Sequence, residues 1–137
     1  ARHDFFRNAA RNTALNFENT MALAEMMVLG ERAGVQPATL LDAVSKGSGD
    51  SFVLRNHGRK AMLPRSFPDK SFSPEYVLKD ISYVLELAGQ TEVAAHVTEL
   101  ARRYYEATAA NGFSGRYFPA VIEMVDRNQA LPAATKD

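Results

Sequence analysis

The chain has 137 residues, 46% of them hydrophobic and 23% charged, which is the size and balance of one globular domain with a single core. Sixteen basic residues balance sixteen acidic ones and no basic run with interleaved aromatic residues occurs, so composition argues against a nucleic-acid partner. The absence of cysteine excludes disulfide bonds and thiolate metal sites, and it fits a cytoplasmic location. No apolar stretch approaches the roughly 20 residues that span a bilayer, so we expect a soluble protein with no membrane partner. Because the sequence begins without methionine and reads at once as the middle of a helix, we expect a longer parent protein.

The first predicted element is a long helix from about Asp4 to Gly34, where glycine suits the position just after a helix end. Its apolar residues follow a three-four spacing that lays one stripe along the helix, and a second stripe recurs every seven residues. A helix with two apolar stripes should pack on two sides, so we expect it to be central or to lie at a subunit interface. The first stripe comprises Ala14, Phe17, Met21, Ala24 and Val28, and the second comprises Leu15, Ala22 and Leu29.

Two shorter helices are predicted next. The first runs from Pro37 to Gly47, because proline fits a first helical turn and glycine fits a helix end. The second begins at Asp50 or Ser51, either of which can cap it, and ends before Pro64.

A proline-rich loop follows and leads into the helix that contains the sequence VLKD. The loop carries Phe67 and Phe72, and aromatic residues in such a loop usually anchor it to a core. Ser73 is expected to cap the next helix and Gly89 to end it.

Two further helices complete the expected fold. Thr91 is expected to cap the first of them, Gly112 follows it, and Pro119 is expected to open the second. The chain therefore reads as all-α with about six helices, residues 1–128 forming one helical domain and residues 129–137 a tail. The apolar stripe expected on the fifth helix comprises Val93, Val97, Leu100 and Tyr104.

Few residues look placed for chemistry. The sequence contains no GxGxxG, P-loop, HExxH or nucleophile-elbow motif. Glu18 and Glu25 share a face of the first helix, but Arg32 continues their row, which favours a solvated charged edge over a carboxylate pair. The three histidines are scattered, so we expect surface or hydrogen-bonded side chains and no metal site. They are His3, His57 and His96.

The adjacent charges Lys79 and Asp80 lie off the apolar stripe of their helix. Glu75 and Glu86 stand about one and two turns from Lys79 along its own row, so spacing alone predicts a solvated lysine with carboxylate neighbours. Composition and periodicity therefore predict a helical domain and indicate no function.

A resemblance to a known family rests on two segments, AEMMVLGERAGVQPATLLDAVSKGSGDSFVLRNHGRKAML and VLKDISYVLELAG. Together they resemble the C-terminal half of the β-hydroxyacid dehydrogenases, the group that contains 3-hydroxyisobutyrate dehydrogenase and tartronate semialdehyde reductase. The order and spacing of the shared elements hold from about residue 14 to about residue 126. These elements are Ala24-Glu25, Gly34, the Gly-Ser-Gly-Asp-Ser run at 47–51, His57-Gly58, Phe67 with Phe72, and Leu78-Lys79-Asp80.

The resemblance implies a helical domain like the C-terminal domain of 6-phosphogluconate dehydrogenase. In the family this domain follows a Rossmann domain that binds NAD or NADP, and it closes the active-site cleft over a small carboxylate substrate, a 3-hydroxyacid. The long first helix joins domains and packs subunits, which implies a homo-oligomer. Lys79 would then contact the cofactor, whereas Asp80 would be structural.

One departure from the family pattern concerns the catalytic lysine. Counting back without gaps from Ala24-Glu25, its position falls on Ala9, which cannot transfer a proton, and the asparagine positions that follow it fall on Asn12 and Thr13. A guanidinium from Arg7 or Arg11 is a poor acid or base near neutral pH.

Two hypotheses follow from this departure. In the first, the chain is the C-terminal domain of an NAD(P)-dependent 3-hydroxyacid dehydrogenase in which Asn12, or Asn16 by a shifted alignment, orients the substrate. In the second, it is a non-catalytic helical association module. Because the chain carries no dinucleotide-binding motif, we expect it neither to hold a cofactor nor to turn over alone.

Overall fold

The computed structural model describes the backbone of residues 2–134 and the side chains of residues 8–134. His3 and Arg7, both named above, lie outside the residues whose side chains are described.

Residues 2–134 form five α-helices and a nine-residue π-helix, which confirms the expected all-α class with six helices. A shorter π-helical segment, Ala109–Phe113, directly follows the fifth of these helices. Residues 2–134 contain no β-strand, and their one isolated bridge joins Asp69 to Arg116. Pro119 falls in a short 3₁₀ turn, so the last α-helix begins two residues later than predicted. The elements are α1 (Arg2–Arg32), α2 (Pro37–Ser45), the π-helix (Leu54–Met62), α3 (Pro74–Thr91), α4 (His96–Thr108) and α5 (Val121–Asp126).

Helix α1 is the centre of the fold. Every residue of its first apolar stripe is buried. Phe17 and Met21 pack with α3 and α4, whereas Ala24, Met27 and Val28 pack with α2, the π-helix and α5. One helix face therefore supports two adjoining clusters, as expected for a central helix.

The second stripe of α1 is left uncovered by the described part of the chain. Leu15 is 57% exposed and Leu29 is 62% exposed, while Ala22 and Met26 between them are also exposed. These four residues form what we call the aliphatic face.

The third helix is a π-helix, whereas the sequence predicted an ordinary α-helix. Ser51 caps it as predicted, because the backbone N–H of Leu54 donates to the Ser51 hydroxyl oxygen over 3.1 Å. The wide turns appear at its end, where the N–H of Leu63 donates to the carbonyl of Gly58 over 2.8 Å. A β-carbon at Gly58 would stand 3.1 Å from a Leu23 methyl group, so glycine allows this helix to approach α1 closely.

The connection between α3 and α4 differs from its prediction. Helix α3 continues past Gly89 to Thr91 and ends where Glu92 adopts a left-handed φ of 59°. Thr91 caps nothing, because its hydroxyl donates backwards to the Leu87 carbonyl over 2.8 Å. Helix α4 begins only at His96.

The buried face of α4 is also different from the predicted stripe. Thr98, Ala101 and Tyr105 face the core, and the Tyr105 hydroxyl donates to the Phe17 carbonyl over 2.8 Å. The buried face differs from the predicted stripe because α4 begins only at His96 and because the buried Thr98 hydroxyl donates a hydrogen bond to Glu18. Three residues of that stripe, Val93, Val97 and Leu100, are exposed.

Candidate functional site

The start of α1 meets the middle of α3 through a polar contact. Thr13 Oγ1 lies 3.2 Å from Asp80 Oδ2, and it also lies 3.0 Å from the carbonyl oxygens of Ala9 and Ala10. Asp80 is half-buried at this contact. Successive helical residues point about 100° apart. Because the Asp80 carboxylate faces α1, the neighbouring Lys79 side chain is directed away from α1.

Lys79 is exposed and makes no ion pair with any carboxylate of the described residues. The predicted pairing with Glu75 does not form, because the Glu75 carboxylate accepts the N–H of Gly115 over 2.8 Å and the hydroxyl of Ser114. Ser73 occupies the N-cap position of α3, but its side chain makes no capping hydrogen bond. The lysine therefore extends as a free cation beside a tethered aspartate.

The predicted substrate contact and the family's lysine position both lie on the exposed side of α1. Ala9 is exposed and has no titratable group, and the neighbouring Arg11 guanidinium donates to the side chain of Asn8. Asn12 is exposed, and its side chain makes no hydrogen bond to a described residue. Asn16, one turn further, is different: its Oδ1 is buried and has no hydrogen-bond donor among the described residues.

Aromatic rings from separate segments meet beside this polar contact. Phe72 stacks on Phe17 with ring centroids 5.7 Å apart, and it also contacts Tyr76 at 5.5 Å and Phe118 at 6.1 Å. The proline-rich loop is thus anchored as predicted, with Phe67 buried in the core and Phe72 half-exposed.

Phe52, two residues before the π-helix, joins this aromatic group through His57, whose ring centroid lies 6.1 Å from that of Phe52 and 5.1 Å from that of Phe118. Phe52 is 63% exposed, and Tyr76 is also exposed. We call Phe52, Phe72 and Tyr76 the aromatic face, since all three reach solvent. Tyr76 stands three residues before Lys79 on α3, so these two side chains are neighbours on the helix surface.

His57 lies behind the aromatic face and is one of the few buried polar side chains, with 8% of its surface exposed. Its Nδ1 is 2.6 Å from the Tyr117 hydroxyl, and its ring meets Phe118 edge-on at 5.1 Å. Burial and, secondarily, the nearby charge of Lys60 lower the pKa of His57. The sequence predicted a surface or hydrogen-bonded histidine, and the hydrogen-bonded form is confirmed.

The carboxylates of α1 do not form a paired site. Glu18 accepts a hydrogen bond from Thr98 over 2.7 Å, and Glu25 accepts one from Tyr104 over 3.3 Å. Arg32 pairs with Asp126 on α5 at 3.2 Å. Each member of the predicted charged edge thus holds α1 to a neighbouring helix.

The described part of the chain offers neither a metal site nor a membrane-spanning helix. No group of three or more potential ligands there could hold a metal ion. No described helix is long and apolar enough to cross a membrane.

Comparison with known proteins agrees with this architecture. The family model described as "NAD-binding of NADP-dependent 3-hydroxyisobutyrate dehydrogenase" matches residues 10–125. A probable 3-hydroxyisobutyrate dehydrogenase-like protein 2, mitochondrial, of Arabidopsis thaliana is 31% identical over 113 residues, which are 82% of this chain and 36% of that protein. The 2-(hydroxymethyl)glutarate dehydrogenase of Eubacterium barkeri is 28% identical over 106 residues, 77% of this chain and 35% of that protein.

A solved structure shows the same fold. The crystal structure of 3-hydroxyisobutyrate dehydrogenase from Salmonella typhimurium superposes with a TM-score of 0.77 at 21% identity, covering 85% of this chain and 40% of that one. This chain spans about a third of the length of the curated relatives it matches. The family-model match shows which class of protein this chain belongs to, the NAD-binding regions of oxidoreductases. Within that class the chain belongs to the β-hydroxyacid dehydrogenase family, as the two segments quoted above predicted.

Proposed function

We propose that residues 1–128, with a tail at 129–137, form the helical domain of an NAD(P)-dependent dehydrogenase that acts on a small 3-hydroxyacid. The observation that carries the proposal is the aromatic face beside Lys79, a cation without a carboxylate partner among the described residues. Solvent-exposed rings next to a free cation suit a planar, anionic ligand better than they suit water. We propose the cytoplasm as the compartment, on the absence of cysteine alone.

The residues fit one part of a dinucleotide site. In this proposal Lys79 contacts an anionic or ribose group of NAD or NADP, and the hydrogen bond between Thr13 and Asp80 holds its helix against α1. Residues 2–134 contain no strand followed by a phosphate-binding turn, so the pyrophosphate has to be held by a preceding Rossmann domain. We therefore expect this chain alone to bind no cofactor and to show no turnover.

The chain's own contribution is to bind, orient and exclude water. The cofactor supplies the hydride chemistry when it is bound. In this proposal the aromatic face forms one wall of the cleft, and Asn12 orients a small carboxylate substrate from the exposed side of α1. Burial of exposed rings against the Rossmann domain would favour closure, at about 25 cal/mol per Å² of apolar surface.

A second copy of the chain is the proposed partner of the aliphatic face. Leu15, Ala22 and Leu29 repeat every seven residues, a spacing that lets two α1 helices pack lengthwise against each other. An open groove beside Met26 and Leu29, lined also by Val125, offers space for side chains of the other copy. A two-fold arrangement would bury the same four residues in both copies.

Ala9 favours a second candidate function, a helical association module without catalysis. Ala9, the position predicted for the family's lysine, carries no group that can accept or donate a proton, and it is exposed. In such a module the aliphatic face would still mediate association, whereas Lys79 would bind nothing.

The test is an assay of the protein that carries this chain behind a nucleotide-binding domain. A panel of small 3-hydroxyacids is offered with NAD and with NADP, and reduction of the cofactor is followed. Lys79→Ala should raise the KM for the dinucleotide at least tenfold. Lys46→Ala, which removes an exposed lysine at the end of α2, is the matched control and should leave the KM unchanged. Absence of turnover with every substrate and both cofactors would favour the association module.

A further inference from the structure

His57 is a buried titratable group that has no role in the proposed reaction. It lies in the π-helix, five residues after Phe52, and the two rings meet edge-to-face at 6.1 Å with an interplanar angle of 89°. Phe52 is 63% exposed, and His57 is its only aromatic contact among the described residues, so little besides His57 holds its ring in one orientation.

The histidine ring is itself fixed from the opposite side. Tyr117 lies in the segment before α5, 60 residues away in sequence, and its hydroxyl is 2.6 Å from His57 Nδ1. Phe118 contacts both His57, at 5.1 Å, and Phe17, at 5.2 Å, and Phe17 in turn stacks on Phe72. The imidazole therefore links the part of the aromatic face that comes from just before the π-helix to the part that comes from the loop before α3.

The groups around His57 do not favour a charged imidazole. Lys60, one turn along the same helix, faces the Tyr117 ring with its Nζ 5.4 Å from the ring centroid. Tyr117 is the only titratable group that contacts His57 from another element of the described chain, and the remaining ring neighbours Phe52 and Phe118 are uncharged. No carboxylate contributes to its protonation, so an imidazolium here would stand among rings and beside a lysine without a counter-charge.

We infer that His57 is a positioning residue. Held by Tyr117, it orients Phe52 on the wall of the substrate cleft, and its protonation releases that ring. This inference rests on the proposed function for its link to substrate binding, because it assigns Phe52 to the cleft. Its structural half, the coupling of Phe52 to the state of His57, is independent of any activity.

The structural half is tested on this chain by NMR with labelled histidine and phenylalanine rings between pH 5 and 8. We expect His57 to titrate below the ordinary pKa of about 6.5, and the Phe52 ring signals to change with the same midpoint. In His57→Phe, which keeps a ring but cannot titrate, the Phe52 signals should be constant over that range. Phe52 signals that ignore the His57 titration, or that change equally in His57→Phe, would overturn the inference.

The functional half is tested on the protein that includes the nucleotide-binding domain. Tyr117→Phe keeps every ring and removes only the hydroxyl, so we expect the substrate KM at pH 7.5 to rise about threefold to tenfold, the usual weight of one hydrogen bond, with kcat changed less than twofold. The KM of the unaltered protein should rise on acidification through the His57 midpoint, and Phe52→Ala should abolish that pH dependence. A changed kcat with an unchanged KM, or a pH-dependent KM that survives in Phe52→Ala, would refute the positioning role.

The two proposals fail separately. A protein that turns over no hydroxyacid contradicts the proposed function, while the NMR titration still decides whether His57 controls Phe52. A protein that turns over substrate with a KM indifferent to Tyr117→Phe contradicts the positioning role alone.

Discussion

The chain exposes two apolar surfaces that differ in what lies between their side chains. The aliphatic face of α1 repeats Leu15, Ala22 and Leu29 with no titratable group among them, although Glu18 and Glu25 border it and are bound to α4. The aromatic face instead adjoins Lys79, and it is backed by a hydrogen-bonded histidine. A uniform surface suits association with a like surface, whereas rings next to a cation suit a ligand.

The two faces also differ in how the chain builds them. All four residues of the aliphatic face lie on one helix, so its shape depends on α1 alone. The aromatic face draws on the segment just before the π-helix and on the loop before α3, and its rings rest on Phe17 of α1 and on Phe118. A change in the core should therefore disturb the aromatic face and leave the aliphatic one intact.

The largest effect is expected from Phe17→Ala. Phe17 is buried and contacts three rings, those of Phe72, Tyr105 and Phe118, so its removal should lower the free energy of unfolding by about 3–5 kcal/mol. Leu15→Ala, two residues earlier on the exposed side, should change it by less than about 0.5 kcal/mol. Urea denaturation at low protein concentration measures both, and equal losses would mean that the aliphatic face is already buried there.

The next effect concerns association through the aliphatic face. Met26→Glu with Leu29→Glu should weaken self-association at least about a hundredfold, because two unpaired carboxylates would be buried in each copy. Tyr76→Glu places the same charge on the aromatic face and should leave self-association unchanged. Sedimentation equilibrium distinguishes them, and an unaltered chain that is monomeric at high micromolar concentration would contradict the proposed homo-oligomer.

The two faces also show which features of the structure could be predicted from the sequence alone. The burial of the first stripe of α1 and the position of the second follow from local periodicity, and both were predictable. The ends of α3 and α4 were not, since Thr91 suits either a cap or a helix interior and only the left-handed Glu92 shows where α3 stops. The neighbours of Lys79 were equally hidden, because Glu75 is bound to a turn 40 residues away.

The relation between His57 and Tyr117 could not be predicted either. Sixty residues separate them, and neither belongs to a spaced motif. The only local signals were the quoted His-Gly pair and the weak helix centre at Gly58, which the structure explains by a π-helix and a close approach to Leu23. Residues that meet through tertiary packing leave little trace in a single sequence.

A smaller effect on the free energy of unfolding is expected from pH, and it should depend on His57, which lies behind the aromatic face. Because burial and Lys60 lower the pKa of His57, the folded state resists protonation more than the unfolded state does. The contribution of neutral His57 to the free energy of unfolding is fully present above about pH 6.5, the pKa in the unfolded state. It is lost as the pH falls towards the lower pKa in the folded state. One such group changes the free energy of unfolding by at most about 1.4 kcal/mol per pH unit. Denaturation at pH 7.5, 6.5 and 5.5 should show a shallower slope for His57→Phe than for the unaltered chain, and parallel slopes would refute the assignment.

The smallest effect concerns the contact that tethers α3 beside Lys79. Thr13→Val keeps the shape of the side chain and removes the hydroxyl that faces Asp80, so we expect a loss of about 1 kcal/mol in the free energy of unfolding. Thr20→Val is the matched control, since the Thr20 hydroxyl donates only to the Asn16 carbonyl of its own helix. The difference between the two variants isolates the contact between helices, because each loses one hydroxyl from α1. If the Asp80 contact stabilises the fold, Thr13→Val is the more damaging change, and a loss that is equal or larger in Thr20→Val would mean that Thr13 bonds instead to its own helix.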